Sequence, residues 1–235
     1  APRQSQLAIA IDEHQSPDYH NRSGPRGSSR RHTKPWVQNV WPRWRMRNRT
    51  TPTFQLSTGH AYGRIINANR AAFADNPEYW GLINGERTDR AQPNVAHPDV
   101  QRIFVEFALN YFERNPEADS IGLDPRDGNP WSECEAARAL GSPSDQVVFI
   151  ANKVAEAIVE RFGPDKYVGI YAYSHHSPPP SIDVHPNVIV SLATSFIRGG
   201  HTIESMLEGW GARCRTLGIR EYYSLTVWHW QLPGR

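Results

Sequence analysis

From Pro98 onward the chain switches repeatedly between two hydrophobic periods, and that switching leaves few architectures open. After Pro98, which suits a first helical turn, Ile103, Phe107 and Tyr111 form an apolar stripe with Phe104 and Ala108 beside it. The helix is expected to stop near Asn115-Pro116. ADSIGLD then reads as a short buried strand. Ser144 can cap a second helix, whose Val147, Val148, Ala151, Val154, Ala155, Ile158 and Phe162 share a face, with Gly163 just past its end. KYVGIYAYS and NVIVSLATSF read as strands. Thr202 to Leu217 reads as a helix with Ile203, Met206, Leu207, Trp210 and Cys214 inward, closed by Gly218, and IREYYSLTVWHW as the next strand. Earlier in the chain LAIAI and TFQLSTGHAY are weaker strand candidates, and Pro77 to Ile83 is a short helical turn.

Strands alternating with helices imply right-handed crossovers and a parallel sheet. Ile121–Leu123, Val168–Tyr173, Val188–Leu192 and Tyr222–Val227 are expected as neighbours in chain order. The fold class is α/β, and the expected architecture is a (β/α) TIM-type barrel. A barrel takes about 250 residues and this chain stops just after a strand, so the barrel is expected to be incomplete at its C-terminal end. A doubly wound sheet would want a Gly-rich phosphate loop after its first strand. SGPRGSS has the glycines but neither the spacing nor a following helix.

Charge divides the chain. The net charge is +2, yet residues 1–74 hold twelve Lys/Arg against three Asp/Glu, while 75–235 hold fourteen against twenty-one. Residues 1–40 are therefore read as a basic N-terminal segment with a candidate first strand, disordered over Ser23–Pro35 where Gly, Pro and Ser cluster. Residues 41–235 are read as the barrel domain. The basic third, with Trp36, Trp41 and Trp44, could bind nucleic acid through phosphates and stacking, but a solvated loop is the favoured reading. No apolar run of about 18 residues exists, so no membrane partner is expected. The two cysteines, Cys134 and Cys214, form neither a CxxC hook nor a disulfide framework. No metal is expected, because HxxxH and HExxH spacings are lacking, and no cofactor is expected.

In a barrel, loops after the strands build the site. Those ends would present His60 and Tyr62, Asp124 to Trp131, Tyr173 to His176, and Trp228 to Trp230. Carboxylates, imidazoles and indoles suit a sugar: cleaving a glycosidic bond needs an acid and a second carboxylate, and rings cover the apolar faces of pyranoses. Each also has an ordinary explanation. Asp-Pro-Arg-Asp-Gly is good turn chemistry, and Glu133 and Glu135 can line the first turn of a short helix from Ser132. Of the adjacent His175 and His176, at most one should face a site if the backbone is extended.

The ordered motifs GHAY, NPEYWGLINGER, NVAHPDV, NPEADSIGLDPRDGNPWSECEA, FIANKVAEAI, VGIYAYSHHSPPP and NVIVSLA resemble the barrel family catalogued as domain of unknown function 4838, from roughly Trp41 to the C-terminus. Members are similar to glycoside hydrolases of the α-glucuronidase and hexosaminidase kind. The resemblance implies a carbohydrate substrate, a secreted or periplasmic location, and a catalytic carboxylate at Asp127. Arg126-Asp127 occupies the place of a family Asn-Asp pair, and Ala137 stands where a further Cys is common.

The expectation is a glycoside hydrolase with Asp127 as acid or base and Glu133 or Glu221 as its partner. His60, Asp124, Tyr173 and His175 would contact sugar hydroxyls, and Trp131 and Trp228 would stack. The alternative is a carbohydrate-binding barrel without catalysis.

Overall fold

The computed structural model describes Arg43 and residues 54–222. The 1–40 segment with its basic tract and LAIAI, the body of the expected Tyr222–Val227 strand, and Trp228 lie outside the described residues.

The first elements are short: α1 (Tyr62–Ala68), α2 (Arg70–Asp75), a 3-10 turn at Pro77–Tyr79, and a hairpin of β1 (Leu82–Ile83) and β2 (Glu86–Arg87). The chain continues through α3 (Pro98–Arg114), β3 (Ser120–Gly122), α4 (Glu135–Ala139), α5 (Pro143–Phe162), β4 (Tyr167–Ser174), β5 (Val188–Ile197), α6 (Ile203–Gly211) and β6 (Thr216–Arg220). The last four strands make one sheet in the order β3-β4-β5-β6. Every pairing in it is parallel, with Ile121 opposite Val168, Gly169 opposite Ile189, and Val190 opposite Leu217. The fold is α/β, and three of the four expected strands lie where their apolar runs place them, in chain order. Both faces of β4 are buried from Val168 to Ala172, as a strand covered by helices requires.

The fourth strand and its preceding helix differ from expectation. Helix α6 stops at Gly211, and β6 occupies Thr216–Arg220. Cys214 and Leu217 sit four and seven residues after Trp210, so helical spacing runs on into residues that are not helical. The backbone amides of Ala212 and Cys214 close the helix on Glu208 O and Trp210 O, and Gly218 lies inside the strand, opposite Ser191.

Helix α5 also starts two residues earlier than a cap at Ser144 would place it. Ser142 is the cap: its Oγ accepts from Asp145 N at 3.2 Å, and the Asp145 carboxylate accepts from Ser142 N at 2.8 Å. Pro143 fills the first helical position, where its missing N–H costs nothing. Ser144 is freed to donate to Pro178 O at 2.5 Å. Gly163 ends the helix as expected. On α3 the buried line is Val100, Ile103, Phe104, Ala108 and Phe112, with Phe107 and Tyr111 on its flank. This line packs on α5, and the Phe112 and Phe162 rings lie 5.8 Å apart. Burial of each such large side chain contributes about 1.5–3 kcal/mol.

TFQLSTGHAY is not a ladder strand. Its described part makes one parallel bridge, His60 with Asp124, beside β3. Residues 56–58 instead cross the face of the sheet at Gly122 and Gly169, where a Cβ on Gly169 would run into Ser57 O and the Leu56 side chain. The Ser57 amide donates to Ser120 Oγ at 2.6 Å, and Thr58 Oγ1 donates to Tyr171 OH at 2.9 Å. Among the described residues, no helix is long and apolar enough to cross a membrane.

Candidate functional site

At the C-terminal end of the sheet, the loop after β3 and the turn after β4 face each other across a small open cleft. His60, Gln92, Pro125, Arg126, Asp127, Gly128, Asn129, Trp131 and Tyr173–His176 line it. Five of the residues selected from sequence, His60, Asp127, Trp131, Tyr173 and His175, meet there.

The loop after β3 is built from its first residue. Asp124 is fully buried, and its carboxylate accepts from Tyr171 N at 2.5 Å and Gly59 N at 2.7 Å. Its carbonyl accepts from Ala61 N and Tyr62 N. One side chain thus ties the 59–62 segment to β4 across β3. Burial pushes its carboxyl up to about 6, against the pull of the two amides. Enclosed in this way, Asp124 is not among the residues lining the cleft.

Three residues on, Asp127 projects into solvent beside Gly128, whose φ of +72° turns the chain. Tyr173 OH donates to Asp127 Oδ1 at 3.4 Å, and His60 Nε2 lies 3.9 Å from Oδ2. His60 Nδ1 is 2.6 Å from Pro125 O. A carbonyl only accepts, so Nδ1 carries the hydrogen and Nε2 presents its lone pair, or a second proton, to the carboxylate. Burial and the neighbouring Asp127 charge push the Tyr173 phenol up, so Tyr173 serves as a hydroxyl donor.

The rest of the loop is anchored by groups that the sequence did not single out. Arg126 donates to Asp89 O at 2.8 Å and to Ala91 O, and lies over the Trp80 ring. Gln92, buried, accepts from Arg126 N at 3.1 Å and donates to Arg126 O at 2.7 Å. Asn129 donates to Arg90 O at 2.6 Å. These are long-range pairs between ordinary polar residues, so no local pattern marks them.

Both histidines of the HHSPPP turn line the cleft, which corrects the expectation that at most one would. The alternation rule needs extended backbone, but Ser174 has φ +51° and His176 N donates to Tyr173 O at 3.1 Å, so the chain turns here. Such a φ on a non-glycine residue stores strain and is held by its surroundings. Here those are the Ser177 carbonyl, which accepts from buried Trp210 Nε1 at 2.7 Å, and Ser177 Oγ, which accepts from Arg198 N at 2.8 Å. His175 is exposed, whereas His176 is only 5% exposed. The adjacent SPPP was the one available signal for a rigidly aimed side chain.

The remaining candidates lie elsewhere. Glu133 accepts from Asn84 N at 2.9 Å in the β1–β2 hairpin, and Glu221 accepts from Thr194 Oγ1 at 2.7 Å at the end of β6. Neither lines the cleft. Near Glu221, Tyr222 stacks on Tyr173 at 6.5 Å and 15°, with Phe196 edge-on to both. Among the described residues, no group of three or more His, Cys, Asp and Glu side chains is arranged to hold a metal ion.

A profile for one family, a domain of unknown function (DUF4838), matches residues 1–227. The chain belongs to the DUF4838 family. The DUF4838 match begins at residue 1, not near Trp41, so the basic N-terminal segment is part of the matched region. No curated protein and no solved structure matches the chain.

Proposed function

We propose that this DUF4838 protein is a glycoside hydrolase whose parallel sheet forms part of a (β/α) barrel, with Asp127 as its proton-transfer group. The observation that carries the reading is the cleft itself. A solvent-reaching carboxylate, an imidazole, a phenol and an indole converge at the C-terminal ends of parallel strands, where barrel enzymes place their chemistry. In its protonated form Asp127 can give a proton to the glycosidic oxygen as the C–O bond breaks, and in its ionised form it can take one from water. Tyr173 and His60, which approach the two carboxylate oxygens, fix its orientation. Trp131 offers the apolar surface that covers a pyranose face. The substrate is an oligosaccharide or polysaccharide, and a secreted or periplasmic location is proposed from the family resemblance alone.

A second reading, a carbohydrate-binding protein without catalysis, is favoured by one observation. Asp127 is the only carboxylate among the described cleft-lining residues, since Asp124 is enclosed and Glu133 and Glu221 are bonded elsewhere. The deciding experiment is a glycan turnover screen with wild type and Asp127→Asn. Cleavage that Asp127→Asn abolishes supports the hydrolase, binding without cleavage supports the binding protein, and neither binding nor cleavage rejects both.

A further inference from the structure

His176 is the one buried ionisable side chain of the cleft that no other part of the fold explains. Its Nε2 is enclosed and has no hydrogen-bond partner, although the ring lines the cleft. Trp131 stands on one side with ring centres 5.9 Å apart, and Tyr173 on another at 6.2 Å. Its position is not loose: the turn that carries it is fastened through Ser177 to Trp210 and Arg198, and through Pro178 to Ser144. Burial first, and then the neighbouring His60 and His175, hold its imidazole well below its ordinary range, at about 3. It is therefore neutral throughout the physiological range and presents one N–H and one lone pair.

A buried polar atom left without a partner is costly, and a functional site is one of the places where a fold retains one. The chemistry of the missing partner follows. A neutral imidazole brings no charge to pair with an ion, and the charged groups nearby are engaged elsewhere: Arg126 donates to the Asp89 and Ala91 carbonyls, and Asp127 is approached by Tyr173 and His60. A hydroxyl both donates and accepts, so it satisfies Nε2 in either tautomer. The two rings flanking the imidazole want C–H surface. A hydroxyl on an apolar ring face is the signature of a sugar.

We propose that His176 binds one hydroxyl of the sugar seated in the cleft and is the residue that selects substrates carrying that hydroxyl. This rests on the carbohydrate reading above and adds a specificity element to it. A site built to hydrogen-bond a hydroxyl discriminates strongly against the analogue that lacks it, because the protein group is then left unpaired.

The test uses the full chain labelled with ¹⁵N. Glucose, galactose, mannose, xylose, fucose, rhamnose, N-acetylglucosamine and glucuronate are added one at a time, while the Trp131 indole N–H and the histidine ring nitrogens are followed. His176→Phe assigns the ring and keeps its bulk. A sugar that moves the Trp131 indole should also move the His176 nitrogens and should bind His176→Phe about tenfold to a hundredfold more weakly. Among monodeoxy analogues of that sugar, one should bind wild type and His176→Phe equally. A sugar that moves Trp131 but leaves His176 unmoved overturns the proposal and leaves the carbohydrate reading standing, as does unchanged affinity in His176→Phe. If no sugar moves either residue, both fall. If His176→Phe does not fold, His176→Gln assigns the ring in its place, and the wild-type titrations then decide the matter.

Discussion

His60 faces Asp127 with Nε2 3.9 Å from the carboxylate, and it does so because its Nδ1–H is committed to Pro125 O at 2.6 Å. The imidazole and the carboxylate belong to different loops, joined by the parallel bridge between His60 and Asp124. Neutral His60 should therefore hold the Nδ1–H tautomer. Ring ¹⁵N shifts of the neutral imidazole check this, and an Nε2–H tautomer would break the account of the pair. His60→Phe should then lower turnover with little change in stability, since the ring is partly exposed.

Asp127→Asn should reduce turnover by about a hundredfold to ten-thousandfold, the range for a positioned acid or base. Its side chain is 62% exposed and holds no element in place, so the melting temperature should stay within a degree or two of wild type. Parallel melting curves and kinetics separate the two effects. A large drop in stability would show that Asp127 is structural.

Asp124 should behave in the opposite way. Asp124→Ala leaves the Gly59 and Tyr171 amides without their acceptor, at about 1–3 kcal/mol for each buried group, so the loss should show in urea unfolding. The folded protein raises this carboxyl to about 6, above its unfolded value of 3.8. The folded state then binds more protons between those values, and its contribution is fully present below about 4 and lost as the pH rises through 6. Unfolding free energies of wild type and Asp124→Asn, compared from pH 4 to 7, should differ most in slope within that window.

His176 works against Asp124 over the same range. Its folded value near 3 lies below the ordinary 6.5, so its contribution is present above 6.5 and lost as the pH falls towards 3. As the pH falls, His176 therefore weakens the fold while Asp124 supports it. In His176→Phe the acid limb of the melting temperature should flatten. An unchanged limb would place the proton uptake elsewhere.

Gly169→Ala should destabilise by about 1–3 kcal/mol or more, the cost of overpacking, because the new methyl meets the Ser57 carbonyl, a backbone group that cannot turn aside. Gly85→Ala in the hairpin is the control for a glycine that has open space around it but a positive φ of +82°.

The chain's local periodicity determined most of the scaffold. The apolar runs Val168–Ala172 and Val188–Leu192 are strands wherever they are placed, because β-branched and aromatic residues that are apolar on both faces suit a covered parallel strand. The helix from Pro98 was legible because proline and spacing agreed, and the second helix by its spacing and the closing Gly163, although its cap proved to be Ser142 rather than Ser144. Where local signals pointed the wrong way, as at Cys214 and Leu217, pairing with β5 outweighed helical spacing. The site was legible as an inventory: His60, Asp127, Trp131, Tyr173 and His175 come from three separate segments, and each is of a type that suits sugar chemistry. Tertiary structure decided which of them meet and what each does. It enclosed Asp124 and exposed Asp127 three residues later, since only the former lies where two neighbouring backbones offer amides to one carboxylate. It turned the chain at Ser174 and so brought His176 to the cleft beside His175. Burial and backbone pairing of this kind depend on contacts 46 to 65 residues apart in sequence, which local periodicity does not encode.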